Sequence, residues 1–135
     1  MGTSAHDDRL LHGSVSHEIL GAFFDVHRAL GHGFLESVYR KAMFQELGRR
    51  GLAVAAEVPF SVKFQGEVVG DYRADLVVES KVIVECKTTD RLLAVHEAQL
   101  INYLRASSIE LGLLLNFGPR ASFRRLVCSS PKKQL

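Results

Sequence analysis

The hydrophobic period first changes near residue 52, and that change separates a helical opening from the strand-rich remainder. Before it, apolar residues recur at helical spacing. Val15, Ile19, Ala22, Phe23, Val26 and Leu30 line one face of a helix from about Ser14 to Leu30. Gly31-His32-Gly33 interrupts the pattern. Leu35, Val38, Tyr39, Ala42, Met43 and Leu47 then line a second helix, which ends near Arg49 between Gly48 and Gly51. After residue 52 the period is two. Val54, Ala56, Val58, Phe60, Val62 and Phe64 alternate with more polar residues, as in a half-buried strand. Pro59 marks that strand as an edge or a bend.

Gln65-Gly66 turns the chain into a second strand. The alternation predicts Val68, Tyr72, Ala74, Leu76 and Val78 on one face and Asp71, Arg73 and Asp75 on the other. Glu79-Ser80-Lys81 is a short loop. The third strand is Val82 to Lys87, with Val82, Val84 and Cys86 inward and Ile83, Glu85 and Lys87 opposite. A third helix follows from about Asp90 to Ala106, with Thr89 or Asp90 as its N-cap. Leu111 to Phe117 is almost wholly apolar, which suits a central strand covered on both faces. Gly118-Pro119 leads into a last strand, Ala121 to Cys128. The strand–helix–strand passage implies a parallel pair. The expected fold is α/β of mixed α+β type, ordered α-α-β-β-β-α-β-β around one central mixed sheet flanked by helices.

A length of 135 residues suits a single domain. It is expected over residues 14–128, with a flexible arm at 1–13 and a basic tail at 129–135. Apolar residues make up 47% and net charge is only +2, which excludes disorder for most of the chain. Cys86 and Cys128 cannot build a disulfide framework, so reduced thiols in a cytoplasmic protein are expected. The polar N-terminus lacks the apolar core of a signal peptide, and no apolar run is long enough to span a membrane. The histidines are scattered and no Cys-x-x-Cys occurs, which argues against zinc.

Net charge hides an asymmetry. Residues 120–135 hold five basic residues and no acid, so residues 1–119 hold twelve basic against all fifteen acidic residues, a net of −3. Arg120, Arg124 and Arg125, with Arg73, are candidate phosphate contacts. A solvated strand face and tail explain the same charges equally well.

The loop after the second strand allows a sharper deduction. If Val78 pairs with Val82, Asp75 stands opposite Glu85, with Cβ atoms about 4.5–5.5 Å apart. A two-residue loop would instead put Leu76 opposite Ile83 and mix the faces, so the pattern favours the first register. Two opposed carboxylates repel. A cation between them would remove the repulsion, and carboxylate oxygens suit magnesium, manganese or calcium. Lys87 lies on the same face, about 6.6 Å along the strand from Glu85. Two acids and an ammonium suit phosphodiester hydrolysis: a metal activates phosphate and water, and a lysine stabilises the developing charge. An acid pair relieved by Lys87 or Arg73 alone needs no metal.

His96, Gln99 and Tyr103 share one stripe of the third helix, either facing these acids or facing solvent. Glu36 is favoured near a helix N-terminus by the dipole, and equally could be a further ligand.

At these residues the chain resembles the GxxExxY family, a branch of the PD-(D/E)XK nuclease-like superfamily. The resemblance runs through Gly33 to Tyr39, Tyr72 to Val78, Val82 to Lys87, His96 to Leu104 and Gly112 to Gly118, within residues 14–127. It implies a restriction-endonuclease-like core. By position it makes Asp75 and Glu85 metal-binding acids, Lys87 the catalytic lysine, Glu36 the acid of the first core helix, and Gln99 and Tyr103 the polar residues of the helix after the active strand. It implies a magnesium- or manganese-dependent nuclease acting on DNA or RNA. Two alternatives stay open: a non-catalytic nucleic-acid-binding module, and a protein-interaction component such as a homodimer.

Overall fold

The computed structural model describes residues 11–128. The first ten residues of the expected arm, and the expected tail at 129–135, lie outside the described residues. The elements follow in the expected order: α1 (Gly13–Leu30), α2 (Glu36–Arg49), β1 (Val54–Phe64), β2 (Glu67–Val78), β3 (Val82–Lys87), α3 (Ala94–Arg105), β4 (Leu111–Phe117) and β5 (Ala121–Val127). No helix among the described residues is long and apolar enough to cross a membrane.

The five strands form one mixed sheet in chain order, with β1 and β5 at its edges. Pro59 on β1 therefore sits where a missing backbone donor is tolerated. Only β3 and β4 are parallel, joined by the α3 crossover. Two apolar clusters cover the two faces. One packs α1 and α2 through Ile19, Phe23, Tyr39, Met43 and Leu47 against Leu76, Val84, Leu113 and Phe117. The other packs Leu100 and Leu104 of α3 against Ala74, Ile83 and Leu114. Every residue of β4 is buried, as its uninterrupted apolar run requires.

The β2–β3 register is the one the loop length predicted: Val78 pairs with Val82, Val77 with Ile83 and Leu76 with Val84. Glu79 and Ser80 take left-handed conformations to close the loop. Glu79 is held there by Ala53, whose backbone nitrogen donates to its carboxylate at 2.6 Å and whose carbonyl accepts its N–H at 2.7 Å.

Two expectations need correction. The alternation along β2 does not run unbroken. Leu76 and Val78 face the α1/α2 cluster, whereas Ala74 and Tyr72 face the α3 cluster. The break lies at Asp75 and at Glu57, the facing position on β1, which takes a left-handed φ of 53°. The β1–β2 ladder passes from Ala56–Leu76 to Val58–Ala74 and skips this pair. A left-handed residue cannot keep the pleat, so side chains on either side of it exchange faces.

The third helix also starts later than expected, at Ala94 rather than near Asp90, and neither Thr89 nor Asp90 caps it. The buried amide of Asn116 accepts from Thr89 N and donates to Thr89 O, both at 2.9 Å, and so holds this segment as a loop. The Thr89 hydroxyl is spent on the Arg91 carbonyl at 2.8 Å. His96 Nδ1 instead accepts the Leu93 N–H at 2.9 Å.

Candidate active site

The interruption in β2 is what makes the site. The β2–β3 ladder stops at Leu76–Val84, and one step beyond it the side chains take over the bonding. Asp75 N donates to Glu85 Oε2 at 2.9 Å, and Cys86 N donates to Asp75 Oδ2 at 2.7 Å. Asp75 and Glu85 are thus brought together as the register predicted, but by exchanging carboxylates for backbone acceptors rather than as an ordinary ladder pair. Each carboxylate commits one oxygen to these bonds and leaves the other for a ligand.

Both acids are strained electrostatically. Glu85 is only 8% exposed. Burial, then repulsion from Asp75, pushes its carboxyl up to about 8, against the opposing pull of the Asp75 amide and of Lys87. Burial also raises Asp75, opposed by the Cys86 amide and by the charges of Arg40 and Lys87. Lys87 Nζ lies 3.5 Å from Gln99 Oε1, so the helix residue holds the ammonium at the mouth of the site. Tyr103 is half-buried. It stacks on Tyr72 with centroids 3.7 Å apart, and its carbonyl accepts the Tyr72 hydroxyl at 2.8 Å. Burial and then the Glu85 charge raise both phenols, so the pair forms a neutral wall beside the acid.

Glu36 occupies the first position of α2 and is exposed. Its charge opposes ionisation of both acids. Even so, no three His, Cys, Asp or Glu side chains among the described residues gather into a metal-binding group. The arginines divide. Arg73 and Arg120 are exposed. Arg124 is paired with Glu97 at 3.3 Å. Arg125 donates to the Leu11 carbonyl at 2.7 Å, and its Nε is buried. Cys86 is buried behind the acids and its thiol is pushed up, as an inert core residue requires.

Sequence reasoning missed Arg40. It stands one helical turn after Glu36, lies 3.6 Å from Glu57 and pulls Asp75 toward its ionised form. The i, i+4 spacing from Glu36 was the available signal.

The donor chemistry fits a divalent cation: two hard carboxylates, each with a spare oxygen, crowded so that one prefers to hold a proton at neutral pH. Magnesium or manganese is therefore expected to raise the thermal midpoint, and to do so more at about pH 8.5 than at about pH 6, where a proton must first leave Glu85. Thermal scans of the protein and of Asp75→Asn check this. Equal shifts at both pH values would contradict it.

No curated protein matches the chain significantly. Among solved structures, one described as the crystal structure of SSO0001 has 22% sequence identity and a TM-score of 0.54, over 71% of this chain. That likeness concerns the fold, and the chain spans about half of that protein, 51% of its length. A family model, that of the PD-(D/E)XK nuclease superfamily, matches residues 13–126. The match takes in Asp75 and Glu85, the lysine beyond them and the helix that holds it, and the chain belongs to the PD-(D/E)XK nuclease superfamily.

Proposed function

We propose that the protein is a divalent-metal-dependent nuclease of the GxxExxY branch, hydrolysing phosphodiester bonds in DNA or RNA. The observation that carries this is the intact, interlocked Asp75–Glu85 pair with Lys87 beside it. The branch motif has physical sense here. Gly33 takes a φ of 111°, Glu36 opens α2 toward the acids, and Tyr39 closes the preceding loop by donating to Gly31 O at 2.6 Å.

Asp75 and Glu85 would hold magnesium or manganese, with the Glu36 charge adding to its attraction. Such an ion, when bound, polarises the phosphate and acidifies water. Lys87 donates to the attacking water or to a non-bridging phosphate oxygen, stabilising negative charge as it develops. Gln99 orients that ammonium. The Tyr72–Tyr103 wall excludes water from one side of Glu85. Arg40 pulls Asp75 toward its ionised form, while exposed Arg73 and Arg120 extend the positive surface. Every one of these groups comes from a single chain. Both described cysteines are free thiols, which supports placement in a reducing compartment such as the cytoplasm.

The test is cleavage of labelled single-stranded and duplex DNA and RNA with magnesium, manganese or EDTA, for the protein and Lys87→Ala. Metal-dependent cleavage by the protein, lost in the variant, is expected. Salt-sensitive binding without cleavage under any metal would favour a non-catalytic nucleic-acid-binding module.

A further inference from the structure

Three loops meet at the carboxyl ends of the parallel pair β3 and β4, where open α/β sheets bind their ligands. They enclose a cleft of about 240 Å³ whose lining includes His32, Phe34, Thr88, Asp90 and Pro119. Each loop is pinned. Phe34 N donates to Tyr39 Oη at 3.3 Å. Asn116 holds Thr89 by two bonds. His27 Nε2 donates to the Gly118 carbonyl at 2.9 Å. The floor is Phe117, buried and stacked on Tyr39 with centroids 4.5 Å apart. This is a preformed concavity.

Its rim carries a specific chemistry. Phe34 is 48% exposed although it sits on a rigid loop, with Tyr39 edge-on to its ring at 6.1 Å. Thr88, Asp90 and His32 supply hydroxyl, carboxylate and imidazole around the same space. An exposed ring facing a few polar groups is what a nucleobase needs: a surface to stack on and partners for its edge. Thr88 directly follows Lys87, and Phe34 precedes Glu36 by two residues, so the cleft lies next in the chain to two residues of the candidate site. Arg91 and Arg120, both exposed, follow Asp90 and Pro119 in the chain and supply charge for neighbouring phosphates.

We infer that this cleft receives one unpaired nucleobase of the strand being cut, with Phe34 as the stacking surface and Asp90 as acceptor for an exocyclic amino group. The inference rests on the nuclease reading and narrows its substrate to strands with an unpaired nucleotide: single strands, overhangs or frayed ends. A base inside a duplex cannot enter without leaving its stack.

The test is fluorescence-anisotropy titration with calcium in place of magnesium, so that binding is read apart from cleavage. The probes are a short labelled single-stranded DNA, the RNA of the same sequence, and the blunt, fully paired DNA duplex of that sequence. The protein is expected to favour a single strand over the duplex. Phe34→Ala should weaken single-strand binding about tenfold and leave duplex binding unchanged, while Phe34→Tyr, which keeps the ring, restores it. Asp90→Asn, at an exposed position, should alter the ranking of adenine, cytosine and thymine homo-oligomers. If Phe34→Ala weakens all probes equally, or none, the base cleft is wrong and the nuclease reading stands. If the folded protein binds none of the probes, both fall.

Discussion

Glu85→Gln is expected to cut at least about a hundredfold more slowly than the parent and yet to melt higher. The two effects share one cause. Glu85 is buried against Asp75, and its carboxyl is raised from 4.5 to about 8. Between those values the folded protein retains a proton that the unfolded chain has released. Stability therefore falls as pH rises from about 4.5 to about 8, and levels off above. Each pKa unit is worth about 1.4 kcal/mol, so the ionised acid costs the fold a few kcal/mol near pH 8. Glutamine keeps an oxygen to accept the Asp75 N–H and carries no charge, so the variant loses this slope. In metal-free buffer its midpoint should exceed the parent's by about 10 °C near pH 8.5 and by little near pH 5. Thermal scans at the two pH values, alongside cleavage assays, check both halves. A variant less stable than the parent at both would show that the buried charge is not the source of strain. A site that gives up stability in the absence of its ligand and recovers it on binding is what a metal-dependent reading demands.

Gly118→Ala is expected to cost about 3 kcal/mol and to lower the urea midpoint accordingly. Gly118 needs no unusual φ. A Cβ there would run into the Thr89 carbonyl, which is backbone and is itself held by Asn116. The loops after β3 and β4 cannot separate without breaking the Asn116 bridge, and the His27 contact ties the second of them to α1. Gly48→Ala is the matching control. Gly48 lies within α2 with open space where a Cβ would stand, so alanine should stabilise by about 0.5–1 kcal/mol. Equal effects of the two changes would refute the steric account. Because the same loops wall the cleft beside Lys87, Gly118→Ala should also weaken single-strand binding.

How far the site was legible depended on how local each determinant is. Asp75, Glu85 and Lys87 followed from loop length and alternation, because a short hairpin leaves few registers open. Helical spacing put Gln99 on a polar stripe but left open whether that stripe faces the acids or solvent; the 3.5 Å approach to Lys87 is a tertiary contact. Arg40 escaped, because its role depends on α2 lying across the β1–β2 interruption, which no period along either element announces. Tyr103 fell on the expected stripe, but its role as a wall came from stacking on Tyr72, which lies 31 residues earlier. The charge pattern at Arg124 and Arg125 did not announce their partners, Glu97 and the Leu11 carbonyl, which come from distant parts of the chain.

The sequence by itself determined the order of elements, the parallel β3–β4 pair, the buried β4 and the β2–β3 register. Each follows from a period, a loop length or an uninterrupted apolar run, and those are properties of neighbouring residues. Only the tertiary structure decided where β2 changes face, where α3 begins and which charged groups remain open to a substrate. Those outcomes hang on single long-range contacts. Glu57 leaves the pleat opposite Asp75, and Asn116 holds Thr89 out of a helix. In each case a contact between residues distant in sequence outweighed a local preference worth only a few tenths of a kcal/mol.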